Sequence, residues 1–251
     1  MRHRSAHRLA PVLAATVLFS PVAAPAATTT ASAFGPAHHP AGAAALRTVG
    51  GTFNINGYNW GGYAATGTFS SVAATWSEPT VKCNSRSDLY APWVGIDGYS
   101  SSTVEQTGVA TDCSSGSPVY QAWYEMYPAA PVYLSSSSYP VRAGDSIHAS
   151  VTHTSGSTYT LAISDTTRGW NYSTNKSLSG ARNANAEAII ESPPGKYPNF
   201  GTLKFTSVTA NGSPIGNYSP VAMDPSANGV YEAHASALSG GNSFTMTYSH
   251  E

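Results

Sequence analysis

The chain has 251 residues, only 10% of them Asp, Glu, Lys or Arg, and a formal net charge of −1. Three of its 12 Lys and Arg fall at Arg2, Arg4 and Arg8, so the rest sets nine basic residues against 13 acidic ones, about −4. That balance offers no electrostatic footprint for nucleic acid or an anionic membrane. A surface made mostly of Ser, Thr, Asn and Gly depends little on ionised carboxylates, which suits an acidic extracellular setting.

The three N-terminal arginines precede a mostly apolar run over residues 9–24, and small residues follow at Ala24-Pro25-Ala26. This basic, apolar, small order predicts a secretion signal over residues 1–26 and hence a secreted, extracellular protein. Residues 27–50, rich in Ala, Thr, Pro and His without periodicity, read as a propeptide or linker. Residues 51–251 have the length of one domain with a sizeable core. No later segment is long and apolar enough to span a bilayer. A monomer is expected.

Short segments rich in Thr, Val, Ile, Tyr and Phe alternate with Gly, Ser, Asn and Pro clusters. They predict strands over 63–75, 119–127, 146–154, 159–165, 202–208 and 243–248. No stretch after residue 50 sustains a helical repeat. The fold class is therefore all-β, an antiparallel sandwich or barrel.

Within residues 91–113, Trp93, Gly95 and Asp97 share one face at period two, as do Val104, Gln106, Gly108 and Ala110. The turn-rich link at residues 98–102 folds the second run antiparallel to the first, so Asp97 and Gln106 are expected to meet across the pair. Gln121, Trp123, Glu125 and Tyr127 lie on one face of the 119–127 strand, opposite Ala122, Tyr124 and Met126. An aromatic face broken by a carboxylate suggests the floor of a groove. Residues 185–191 put Glu187, Ile189 and Glu191 on one face, and periodicity does not choose between the two glutamates.

Cys83 and Cys113 are the only cysteines, and in an exported protein an isolated pair closes a disulfide. A loop of about thirty residues gives roughly 3 to 4 kcal/mol of stabilisation by chain entropy. Two distant Cys and scattered His do not make a metal site, and His148 and His153 fall at opposite parity, so no metal and no cofactor are expected. There is no Gly-x-Ser-x-Gly turn, no His-Glu-x-x-His and no free thiol beside a His. What remains is a carboxylate that moves a proton and an amide that donates a hydrogen bond. That pair can hydrolyse an acyl bond, the amide steadying the oxyanion, or can bind a sugar.

The motifs Asn59-Trp60-Gly61-Gly62, Trp93-Val94-Gly95-Ile96-Asp97-Gly98, Gln106-Thr107-Gly108, Ala122-Trp123-Tyr124-Glu125, Tyr127-Pro128, Asn185-Ala186-Glu187 and Ile189-Ile190-Glu191 occur in order. In this the chain resembles the glutamic peptidases called eqolisins, secreted acid endopeptidases described mainly from fungi, with bacterial relatives. The resemblance implies a β-sandwich of two large antiparallel sheets, similar to legume lectins, and a catalytic dyad at Gln106 and Glu191. Glu191 would act as general base on water and return the proton to the leaving amine, while Gln106 would hold the tetrahedral oxygen. Trp60, Trp93, Asp97, Trp123, Glu125 and Tyr127 would line the groove for an extended polypeptide substrate. An enzyme of this kind is expected to be insensitive to pepstatin.

Two departures stand out. Ala110 and Gln121 occupy positions where the fungal enzymes carry acids, which bears on pH optimum and peptide preference. Other readings stay open: Trp93 and Trp123 as core tryptophans, Asp97 as a turn former before Gly98, and Glu187 in place of Glu191. A lectin-like glycoside hydrolase with Glu125 and Glu191 as paired acids is one functional alternative. A non-catalytic glycan- or peptide-binding module is another.

Overall fold

The computed structural model describes residues 54–227 and 230–249; the expected signal and linker, residues 1–26 and 27–50, lie outside them. In chain order the strands are β1 (Ile55–Tyr58), β2 (Trp60–Thr66), β3 (Ser71–Ser77), β4 (Leu89–Ile96), β5 (Val104–Asp112), β6 (Val119–Tyr127), β7 (Val132–Tyr133), β8 (Ser146–Ser155) and β9 (Thr158–Asp165). They continue with β10 (Trp170–Ser177), β11 (Asn185–Glu191), β12 (Thr202–Ala210), β13 (Ser213–Pro214), β14 (Val221–Ala227), β15 (Val230–Tyr231), β16 (Ala233–Ala235) and β17 (Phe244–Tyr248). One sheet runs β1-β14-β2-β11-β4-β5-β6-β7 with β15 beside β14, and the other runs β10-β9-β8-β3-β12-β17-β16 with β13 beside β12. Only β1 and β14 pair in parallel among these strands; the other pairs are antiparallel. The architecture is a β-sandwich.

Alternation along each strand sorts the residues. Val94 and Ile96 of β4, Val109 of β5, Ala122, Tyr124 and Met126 of β6, and Ala186, Ala188 and Ile190 of β11 join one buried cluster. There they pack with Trp76, Ile147, Ala149, Val151, Leu161, Ile163, Leu203 and Phe205 of the second sheet. Each fully buried aliphatic or Phe side chain contributes about 1.5–3 kcal/mol, which makes this inter-sheet layer the main stabilising element.

The opposite parity of the first sheet forms a second buried cluster: Trp60, Ala64, Ala91, Trp93, Val104, Ala110, Trp123, Ile189 and Met223. Strand β11 is consequently buried at every position. This explains its almost continuously apolar sequence, since neither face meets water.

The segment expected as one strand over 63–75 is two strands in different sheets. Residues 67–70 cross between them, held by Gly67 and Phe69 N–H groups donating to the carbonyls of Ala184 and Asn183. A run of β-forming residues hides such a crossover because both of its halves satisfy the same propensity. Strand β10 was not anticipated, its outward residues being Asn171, Ser173 and Asn175 and its inward ones only half-buried. The cysteines do pair, Cys83 with Cys113 across a separation of 30 residues. His148 is exposed and shares a hydrogen bond with Thr75. His153 packs half-buried against Tyr159, with ring centroids 5.0 Å apart.

Low charge density conceals an unusual partition of charge. Eleven of the 13 acids in the chain are buried: Glu78, Asp88, Asp97, Glu105, Glu125, Asp145, Asp165, Glu187, Glu191, Asp224 and Glu232. Burial pushes Glu78 up to about 8, although the Trp76 indole donates to it at 2.9 Å. Burial, reinforced by the charge of Asp97, pushes Glu105 up to about 9. The same two causes raise Glu187 well above the carboxylate range, and the Tyr99 amide offsets them only in part. These three groups are therefore neutral in acid and at neutral pH.

Replacing Cys83 and Cys113 together by Ser should cost about 3 kcal/mol in a urea titration, and a loss below about 1 kcal/mol would contradict a stabilising bridge. Stability should be greatest on the acid side and fall as pH rises from about 5 towards 9. In that window the unfolded chain has released protons that folded Glu78, Glu105 and Glu187 retain. Glu105→Gln should flatten this decline; a urea midpoint that rises with pH, or a slope the substitution leaves unchanged, would contradict the assignment.

Candidate active site

The site is built from the outward parity of β2, β11, β4, β5 and β6. One row across these strands reads Ala64, Glu187, Gly95, Gln106, Glu125. The next reads Gly62, Ile189, Trp93, Gly108, Trp123, Tyr133. A third sets Trp60 and Ala91 on either side of Glu191. The polar residues thus occupy the rows flanking a row of tryptophans.

Trp93 lies where its neighbours have no side chain. A Cβ on Gly108 would fall 2.2 Å from the Pro92 carbonyl oxygen and 2.6 Å from Trp93 Cβ. One on Gly95 would fall 2.8 Å from Trp93 Cζ3 and 3.3 Å from Gln106 Cβ. The indole therefore extends over Gly95 with its benzo edge beside Gln106. Its Nε1 donates to Glu191 Oε2 at 3.2 Å. Gln106 and Glu191 stand at different ends of one ring, and Trp60 packs edge-on against that ring at 4.9 Å.

The other Glu191 oxygen, Oε1, accepts from Asn59 Nδ2 at 2.9 Å. A hydrogen-bond donor on each oxygen favours the charged carboxylate. Gln106 Nε2 donates to Glu125 Oε2 at 2.9 Å, which orients the amide. Trp60, Trp93, Trp123, Gln106, Glu125 and Glu191 are all fully buried. The face expected as a groove floor is a packed aromatic layer in this chain. It is nevertheless not the inter-sheet core, to which Ala122, Tyr124 and Met126 belong. Tyr127, half-buried at the end of β6, packs against the same layer. Burial, helped by the charges of Glu125 and Asp112, pushes Tyr133 at its far edge up to about 12.

Asp97 departs from expectation. Gln106 pairs with Gly95, so Asp97 sits beyond the ladder, at φ 68°, and does not meet Gln106 across the pair. Its carboxylate accepts the backbone N–H groups of Arg182, Asn183 and Ala184 at 2.6, 2.9 and 2.7 Å. Three such bonds bind the acid to the segment entering β11, so it anchors that strand instead of facing the aromatic layer. Gly98 beside it is needed for space, since a Cβ there would meet Val104 at 2.7 Å and Trp60 at 3.0 Å.

Ala110 and Gln121, the two departures noted above, face each other across β5 and β6, and Gln121 donates to the Leu134 carbonyl at 2.8 Å. Asn59 was missed as a site residue; the sole signal was its place next to Trp60 in a matched motif. Among the described residues no group of three His, Cys, Asp or Glu is arranged to hold a metal ion.

Scytalidopepsin B of Scytalidium lignicola is 38% identical over 138 residues, 53% of this chain and 51% of that protein. Aspergillopepsin-2 of Aspergillus niger is 32% identical over 169 residues, 62% of this chain and 58% of that protein. The chain thus spans just over half the length of these two relatives. A crystal structure of scytalido-glutamic peptidase with a transition state analog inhibitor has a TM-score of 0.66 at 28% identity, covering 76% of this chain and 98% of that one. Aspergilloglutamic peptidase from Aspergillus niger has a TM-score of 0.55 at 29% identity, covering 64% of this chain and 99% of that one. The Peptidase A4 family pattern matches residues 58–248, well over half of the sequence, and the chain belongs to that family.

Proposed function

We propose that the chain is a secreted acid endopeptidase that hydrolyses peptide bonds with Glu191 as general base and Gln106 as the donor to the oxyanion. The observation that carries this reading is the pair of donors on Glu191: each of its oxygens accepts an N–H, from Asn59 and from Trp93. A base for acid pH must be ionised there, and such donors favour ionisation. Glu187, on the same face, is raised by burial and by Asp97 and stays neutral, which makes it a poor base.

In the proposed reaction Glu191 takes a proton from water as the water oxygen attacks the scissile carbonyl carbon. Gln106, oriented by Glu125, donates an N–H to the tetrahedral oxygen. The carbon–nitrogen bond then breaks and Glu191 returns the proton to the leaving amine. Trp60, Trp93, Trp123 and Tyr127 would pack against an extended polypeptide. The peptide class is supported by the structural relatives, one of which is an eqolisin in complex with the tripeptide Ala-Ile-His. The scheme needs neither metal nor cofactor.

The reading includes removal of residues 1–26 as a signal and of 27–50 as a propeptide, leaving a monomeric domain over 51–251. The paired-acid glycosidase alternative draws little support, since Glu125 is hydrogen-bonded to Gln106 while Glu191 lies in the row of Trp60 and Ala91.

The test is hydrolysis of an unfolded protein between pH 2 and 7, before and after acid incubation, with pepstatin present. Glu191→Gln should lower kcat/KM by about 10³-fold or more and Gln106→Ala by about 10²-fold or more. Glu187→Gln, which replaces one neutral group by another, should keep activity within several-fold at pH 4. Full activity in either dyad variant would contradict the mechanism; loss in Glu187→Gln with Glu191→Gln active would exchange the two glutamates.

A further inference from the structure

Asn59 sits on a tightly built turn between β1 and β2. Tyr58 adopts φ 56°, a left-handed conformation uncommon for a non-glycine residue, and its N–H is held by Asn56 Oδ1 at 2.8 Å. Gly57 has no room for a side chain, since a Cβ there would lie 1.9 Å from the Trp60 carbonyl oxygen. The Asn59 carbonyl is clamped twice: it accepts the N–H of Ser192, the residue after Glu191, at 3.0 Å and the Tyr197 hydroxyl at 2.7 Å. The Tyr197 hydroxyl shares the same proton with the Ile190 carbonyl, at 3.1 Å, so one phenol ties the turn to the strand end that carries Glu191. These bonds deliver the Asn59 amide to Glu191 Oε1 at 2.9 Å.

We infer that Asn59 is a positioning residue for hydrolysis, one that keeps the Glu191 carboxylate ionised and aimed at the Trp93 edge in acid. The inference rests on the reading of Glu191 as the base. Two donors act on the carboxylate from different elements, Asn59 from the turn and Trp93 from β4, and removing either should make protonation of Glu191 easier. Glu187 lies on the same face of β11 as Glu191 and is neutral. Tyr197 is tied to the strand end through the Ile190 carbonyl, and the charges of Glu232 and Glu191 add to burial in keeping the phenol protonated. The neighbouring strands contribute Trp60, Ala91 and Trp93, none of which titrates.

The experiment is the pH profile of kcat/KM for a peptide substrate in wild type, Asn59→Ala, Asn59→Asp and Glu191→Gln, together with urea midpoints at pH 4. The acid limb of kcat/KM reports the free enzyme's base. In Asn59→Ala that limb should move up by about one pH unit, roughly a tenfold loss at a pH on the limb and a smaller loss on the plateau. Asn59→Asp is nearly isosteric and guards against misfolding. It sets two carboxyl groups side by side, which should share a proton and move the limb at least as far. An acid limb that coincides with wild type in a folded variant would overturn the role of Asn59. Activity retained in Glu191→Gln would instead overturn the base on which it depends.

Discussion

The hydrogen bond from the Trp93 indole to Glu191 is the contact on which the rest of the site depends. It needs a ring large enough to reach from β4 over Gly95, and glycines at positions 95 and 108 to leave room for that ring. It also needs the neighbouring strands in a register that sets Glu191 one row to one side and Gln106 one row to the other. A one-residue slip of β5 against β4 would turn Gln106 into the inter-sheet core. The disulfide from Cys83 to Cys113 closes the segment containing both strands, and Asp97 ties the end of β4 to the segment leading into β11.

Burial on both faces of the first sheet has an electrostatic consequence. Almost every acid in the described chain is inside, while Lys82, Arg86, Arg142 and Lys196 are exposed. The net charge of the sequence therefore misrepresents the surface, because Glu78, Glu105 and Glu187 hold their protons far above the usual range. Neutral carboxyls cost less to bury than charged ones, so such an interior favours acid and is destabilised as pH rises. Glu191 stands apart from these three because of what donates to it. An N–H reaches each of its oxygens, from Asn59 and from Trp93.

Much of this was legible from the residues. Period-two alternation sorted Trp123, Glu125 and Tyr127 from Ala122, Tyr124 and Met126, and the structure keeps that division. The cysteine pair was readable because no alternative partner exists. Other features depend on tertiary geometry that no local pattern encodes. Periodicity puts Glu187 and Glu191 on one face but cannot reveal that Asn59 and Trp93 donate to one and that Asp97 lies near the other. It assigns Asp97 to the face of Trp93 yet misses the left-handed backbone that takes it off the ladder. Asn59 is separated from Glu191 by 132 residues, and nothing local to either announces the bond. The crossover inside 63–75 was invisible because both of its halves have strand composition.

The most direct test of this account is a crystal structure, at acid pH, of the active protein with a peptide-based tetrahedral transition-state analogue. The account predicts the tetrahedral oxygens within hydrogen-bond distance of both Glu191 and Gln106, alongside the edge of Trp93, with Asn59 still on the Glu191 carboxylate. An analogue bound away from that ring, or one contacting Glu125 or Glu187 in place of Glu191, would contradict it.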